Sequence, residues 1–306
     1  MPACATASNG AILYDVELKM TADSQGKNRA AMLSVGAAAA LVALKMAVAI
    51  STGSLGILSE ALHSALDLVA AAVTWVAVRL SDKPADKEHN FGHGKIENFS
   101  ALIEALLLLI TCGWIIYEAV ARLILKHSAI EVGFWSFAVV IASIAVDVGR
   151  SRALMRAAKK YRSQALEADA LHFSTDIWSS AVVFFGVAGS FLGFHSADAI
   201  AALAVAIIVI WVSIKLSSRA IDELLDKAPD GLREKVSSLI GDVDGVIKSH
   251  DLRVRASGNV YVIDVNIHVD ASLSIVEAHE ISERVERVLR ANIGRSIINV
   301  HVEPQW

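Results

Sequence analysis

Two stretches of the chain share the pattern Ala-Leu-His-x-x-x-Asp: residues 61–67, with His63 and Asp67, and residues 170–176, with His172 and Asp176. Both lie inside apolar runs. On a helix of about 3.6 residues per turn, a His and an Asp four apart stand on one face, one turn from each other. Each helix then offers one imidazole nitrogen and one carboxylate oxygen to a single point. Two such helices facing each other supply two nitrogens and two oxygens, a set that suits a tetrahedral divalent ion such as zinc. The bland alternative is a pair of separate His/Asp hydrogen bonds that join helices.

Ligand-type residues recur outside these runs. Asp86, His89 and His93 fall within eight residues of a polar stretch, and the neighbouring Gly92 and Gly94 let it bend back on itself, so the three can close on one ion. An ordinary polar turn is the other reading. Near the C-terminus, His250, His268, His279, His301 and Glu303 fall within some 55 residues. His279-Glu280 is not a zinc-protease motif, because position 283 is Glu rather than the required His.

The elements that carry these residues are set by composition. Of the 306 residues, 55% are hydrophobic, and the mean hydropathy is +0.51, which describes a polytopic α-helical membrane protein with a more polar end. A net charge of -4 gives no footprint for a nucleic-acid partner. Cys4 and Cys112 sit in a polar and an apolar stretch, so no disulfide framework is expected. Residues 1–28 mix charged and small residues and lack the apolar core of a signal peptide.

Six segments reach the roughly 20 residues needed to cross a bilayer, near 31–52, 55–80, 99–122, 130–149, 165–190 and 196–217. The loop at 81–98 holds Lys83, Lys87 and Lys95, and that at 150–163 holds Arg150, Arg152, Arg156, Lys159, Lys160 and Arg162. The loops at 51–56 and 190–195 hold no Lys or Arg. Cytoplasmic termini follow, against the two opposing charges Arg122 and Lys126. At about 1.5 Å per residue, the second and fifth helices then bring His63 level with Asp176 and Asp67 level with His172, all near the midplane. Ionisable side chains there are costly and mark function. Lys45, Glu60, Glu104 and Asp169 are charged there too, with pairing, packing or a water-filled path all open.

Beyond Pro229 the periodicity changes. A helix over 229–244, strands over 247–256 and 259–269, a helix over 274–291 and a strand over 296–303 make a small α+β domain of αββαβ order. In the second strand Tyr261, Ile263, Val265, Ile267 and Val269 form one face, and Asp264, Asn266 and His268 share the other. The expected division is a cytoplasmic tail over 1–28, a six-helix transmembrane domain over 29–220 and a cytoplasmic metal-binding domain over 221–306.

Six spans, HxxxD in the second and fifth, Asp-x-x-His-x-x-x-His-Gly-Lys after the second, and a His-bearing αββαβ end resemble the cation diffusion facilitator family. The resemblance covers the chain from about residue 29. It implies no enzyme but a homodimeric antiporter in a membrane, here a bacterial inner membrane, that exports divalent metal from the cytoplasm in exchange for protons. Zn2+ is the implied cargo, and Fe2+, Cd2+ or Co2+ the alternative. By position, His63, Asp67, His172 and Asp176 match the family's transport site, and Asp86, His89 and His93 its loop site. His250, His268, His279, His301 and Glu303 match its cytoplasmic cluster, where Zn2+ is also expected. Lys95 and Asp226 match an interdomain salt bridge. Two positions depart from the pattern: bacterial zinc members often carry Asp where His63 stands, and Asp is common where Glu303 stands. Against the exporter stand a membrane-anchored metal sensor, which would not need four ligands at mid-membrane, and an intramembrane hydrolase, for which no HExxH is present.

Overall fold

The computed structural model describes residues 5–52, 55–125, 134–191 and 197–305. Of the residues weighed above, Cys4, Lys126 and parts of the loops at 51–56 and 190–195 lie outside that set, as do the side chains of Glu60 and Arg122. The chain divides into two compact units. The first joins Met1–Asp82 with Ile96–Ser218, and the second joins Lys83–Lys95 with Arg219–Trp306.

The first unit is built on six long helices: α1 (Ala5–Thr52), α2 (Leu55–Ser81), α3 (Ile96–Leu125), α4 (Phe134–Tyr161), α5 (Gln164–Phe191) and α6 (Ala197–Leu224), the last continuing into the second unit. A chain this apolar satisfies its backbone within itself when helical. Among the described residues, four stretches are long and apolar enough to cross a membrane, namely Ala22–Ser51, Ala61–Ser81, Ile96–Ala121 and Leu203–Leu224. The other two long helices carry much of the interior charge, including Asp147 and Arg150 on α4 and Asp169 and Asp176 on α5. Residues 5–28, expected as a tail, are the first turns of α1.

Small residues line the helix contacts. Ala31, Ala71, Ala158, Ala165 and Ala170 are buried beside Val78, Leu154, Leu166 and Phe173, so the backbones of α1, α2, α4 and α5 approach closely. Other large residues of the same helices turn outward. Within the first HxxxD turn, Ala61 is 0% exposed while Leu62 and Leu66 are 57% and 68% exposed. That is the reverse of a water-soluble helix and suits a lipid solvent.

At one end of the unit, α1, α2 and the residue that precedes α5 meet on Glu97 of α3. Lys27 of α1 reaches it at 2.9 Å and the adjacent Asp82 at 2.5 Å. Ser81 donates to Glu97 Oε1 at 3.0 Å, and Ser163, just before α5, donates to Oε2. Each buried charge therefore has a partner.

In the second unit, α7 (Leu232–Gly241), β1 (Lys248–Ser257), β2 (Val260–Asp270), α8 (Ile275–Ile293) and β3 (Ser296–Gln305) follow in order. The sheet order is β1-β2-β3, with β1 antiparallel and β3 parallel to β2. The α8 crossover makes the second pairing parallel. Ile263, Val265, Ile267 and Val269 of β2 pack with Ile281, Val285 and Leu289 of α8 and Val236 and Ile240 of α7 in one core. Ser274 and Glu277 form a capping box that starts α8. Helix α7 begins at Leu232 rather than at 229, since Gly231 precedes it in the left-handed region, at φ 71°.

Candidate metal centres

Helices α2 and α5 bring three of the four HxxxD residues together. Asp67, His172 and Asp176 each present a ligand atom, all within 4.8 Å of one another. His172 Nε2 lies 3.3 Å from Asp67 Oδ1 and 3.7 Å from Asp176 Oδ2. His63 stands one turn before Asp67, with Nε2 4.0 Å from Asp67 Oδ1 and its side chain 43% exposed. One nitrogen and two carboxylate oxygens converge, with a second imidazole beside them, a donor set that fits zinc and several other divalent first-row ions.

The other charges expected in the apolar helices have distinct neighbours. Lys45 donates to Ser64 at 2.8 Å. Asp169 accepts from Ser34 at 3.1 Å, and Ser34 also accepts from Arg150 at 3.0 Å. Glu104 accepts from Thr74 at 2.9 Å, and its second oxygen lies 3.8 Å from His172 Nδ1. In the sequence Glu104 stood out only as a buried charge; the Thr74 and His172 contacts join three helices and have no local signature.

The loop group is built by an Asx turn. Asp86 Oδ1 accepts from the backbone N–H of His89 at 2.7 Å and of Glu88 at 2.9 Å. These bonds, the His89 N–H first, hold the Asp86 carboxyl below its ordinary range. His89 Nδ1 lies 3.3 Å from Asp86 Oδ1 and His93 Nε2 3.5 Å from Oδ2, so the three offer ligand atoms within 4.8 Å of one another. The loop then turns at Gly92, φ 78°, and runs against the β1–β2 hairpin. A Cβ on Gly94 would meet Ser257 O at 2.7 Å, and one on Gly258 would meet Gly94 Cα at 3.1 Å. Two glycines back to back set this approach.

Next to that contact, Lys95 donates to Asp226 Oδ1 at 2.8 Å and to the Leu224 carbonyl at 3.2 Å. Arg255, whose guanidinium lies over the Phe91 ring at 4.4 Å, donates to the same carboxylate at 3.2 Å. Burial pushes the Asp226 carboxyl up, but the bonds from Lys95 and Arg255 outweigh it and hold the group below its usual value. Lys95 and Asp226 both belong to the second unit.

A third group forms on the polar face of the sheet. The parallel register sets His268 opposite Glu303, and the antiparallel register sets His250 opposite Asn266. His250 Nε2 lies 3.1 Å and His268 Nε2 3.5 Å from Glu303 Oε2, and the two rings are 4.8 Å apart. Those three residues form a ligand group, while His301 Nε2 approaches Glu303 Oε1 at 3.7 Å. His279 sits elsewhere, beside Glu283 on α8 at 3.6 Å. Asn266, absent from the sequence reading as a site residue, donates to Glu303 Oε1 at 3.0 Å. Its place between His250 and His268 on a period-2 face was the signal available. The bond from His250 and the nearby imidazoles hold the Glu303 carboxyl low.

The chain matches the family model described as the cation efflux transmembrane domain over residues 31–225, and that described as the cation efflux protein cytoplasmic domain over residues 228–305. Among curated relatives, the "Cation-efflux pump FieF" of Salmonella schwarzengrund is 30% identical over 282 residues, covering 90% of this chain and 92% of the relative. The protein of the same name from Salmonella arizonae is likewise 30% identical, and that from Salmonella paratyphi A 29% identical, with the same coverage.

Proposed function

The chain belongs to the cation diffusion facilitator family, whose members are cation efflux transporters and not enzymes, and on that premise we propose that it exports Zn2+ from the cytoplasm in exchange for protons. The observation that carries this reading is the convergence of Asp67, His172 and Asp176 within 4.8 Å inside two apolar helices. With His63 they form an N2O2 transport site in a bundle that crosses the membrane six times, both termini on the cytoplasmic side. The relatives are bacterial, which supports the inner membrane as its place. The match to the cytoplasmic domain supports a homodimer assembled through residues 228–305.

An imidazole binds metal only when its ligating nitrogen is deprotonated. Cation and proton therefore compete for the same atoms of His63 and His172. Metal arriving from the cytoplasm displaces protons, and protons arriving from outside displace metal. The group formed by Asp86, His89 and His93 serves as a loop site. His250, His268 and Glu303, with His301 beside them, hold regulatory zinc; His279 would join them only after a rearrangement, since α8 packs against the other, apolar face of the sheet.

Purified protein in proteoliposomes tests the proposal. Zinc uptake should follow an imposed pH gradient and collapse when the gradient is removed. Asp67→Ala or Asp176→Ala should lower flux by more than about a hundredfold, because losing one partner of a buried ionic cluster costs about 3 kcal/mol or more. Near-normal flux in either variant, with normal insertion, overturns the site assignment. Competition among zinc, iron(II), cadmium and cobalt identifies the cargo.

A further inference from the structure

Glu104 of α3 is 0% exposed, and the transport cycle described above does not use it. Thr74 of α2 fixes one of its oxygens, Oε1, at 2.9 Å. The other, Oε2, has no hydrogen-bond partner among the described residues. It faces His172 Nδ1 at 3.8 Å, and that buried nitrogen has none either. The opposite nitrogen of the same ring, Nε2, points at Asp67 and Asp176, at 3.3 and 3.7 Å.

Buried polar atoms without partners are costly, and two of them facing each other invite a role. An imidazole that gives its Nε2 lone pair to a cation carries its proton on Nδ1. Once cargo sits between Asp67, His172 and Asp176, Nδ1–H becomes a donor aimed at Glu104 Oε2. The present separation exceeds hydrogen-bond range by roughly 0.6 Å, a gap that small side-chain rotations close. We propose that Glu104 is the positioning residue of this cluster: held by Thr74, its carboxylate accepts the Nδ1 proton of His172 and fixes the ring with Nε2 toward the cation. An apolar residue at 104 would leave the ring free to turn about χ2 and present either nitrogen. The inference rests on the transport-site reading above.

The test uses the full-length chain in detergent, with Asp86→Ala and Glu303→Ala silencing the other two groups, titrated with Zn2+ by calorimetry and with Co2+ by visible absorption. Glu104→Leu should weaken zinc binding by about 10- to 100-fold, the range for losing a carboxylate behind a metal-bound His. Glu104→Gln should bind close to the parent, because its amide oxygen accepts the same proton and its NH2 donates to Thr74. In a His172→Ala background, Glu104→Leu should cause no further loss, since no ring remains to be oriented. With Co2+, Glu104→Leu should move the d–d bands and Glu104→Gln should not, whereas a purely structural defect would lower their amplitude alone. Should Glu104→Leu fail to fold, Thr74→Val carries the same test: a smaller loss confined to chains that retain His172 supports the proposal. Unchanged zinc affinity in the folded variant, or an equal loss with and without His172, overturns it. If His172→Ala and Asp176→Ala bind zinc as the parent does, the transport-site reading itself falls. If they lose zinc while Glu104→Leu keeps it, only the positioning role is lost.

Discussion

His63 differs from the other HxxxD residues in its surroundings. Its side chain is 43% exposed, whereas Asp67 is 13%, His172 6% and Asp176 16% exposed. A ligand at the rim of a group tunes selectivity more readily than it decides whether a cation binds. His63→Asp is therefore expected to keep transport but to broaden the choice of cation toward harder ions such as manganese, because an oxygen replaces a borderline imidazole. Competition assays in proteoliposomes with zinc, cadmium, iron(II) and manganese check this; an unchanged order of preference counts against His63 as a ligand. The HxxxD spacing was legible from helix geometry alone. The contrast between the exposed and the buried imidazole was not, because it depends on which helices pack against each side of α2.

The spacing of Asp86, His89 and His93 makes the short element between α2 and α3 an ion-binding loop or a polar turn, and the structure groups its residues Lys83–Lys95 with the second unit. Gly94 makes that grouping physically possible. Gly94→Ala would set a methyl 2.7 Å from the Ser257 carbonyl oxygen, an overpacking expected to cost about 1–3 kcal/mol. Thermal melting of the purified protein checks it, with Gly241→Ala as the control, since a Cβ there meets nothing within 4 Å. Asp226 has a matching role at the end of α6. Its φ of 60° is the left-handed conformation of a helix C-terminus, usually given to Gly or Asn, and Lys227 N–H bonds back to the Asp222 carbonyl at 2.9 Å. An Asp is held there to meet Lys95 and Arg255. Its folded pKa lies below the ordinary value of 3.8, so its contribution is full above that value and is lost as pH falls through the folded pKa. The wild type should exceed Asp226→Asn in melting temperature by a constant margin from about pH 5 to 8, and the margin should shrink below about pH 4. A margin that grows on acidification would refute the ionised pair.

At the scale of the whole molecule, the αββαβ part has a core of its own, built from α7, α8 and the inner face of β2. It should therefore fold and bind metal as the isolated segment 221–306. A ligand at a hundredfold excess over its Kd stabilises the state it binds by about 2.7 kcal/mol, which for a domain this small raises the melting temperature by about 10 °C or more. Zinc at pH 7.5 is expected to produce that rise, and His250→Ala with His268→Ala to remove it. Calorimetry with the same midpoint in the presence and absence of zinc would make these ordinary surface histidines. Below about pH 6 the gain should fade, since protonated imidazoles no longer ligate.

The sequence alone determined whatever depends on neighbours a few positions apart. Apolar runs, the four-residue spacing of His63 with Asp67 and of His172 with Asp176, and the alternation that places Asn266 and His268 on one strand face all follow from the pitch of a helix or the pleat of a strand. The order of the elements of the αββαβ part was legible for the same reason, to within a few residues at each end. The tertiary structure decided which of these faces meet. Nothing within the second HxxxD run states that His172 turns one nitrogen to Asp67, 105 positions earlier, and the other to Glu104. Nor does the tail sequence say that His279 parts from Glu303 while Asn266 joins it. Contacts between elements far apart in the chain come from how small residues let helices approach and how strands register, and these are set by the whole set of packed faces together.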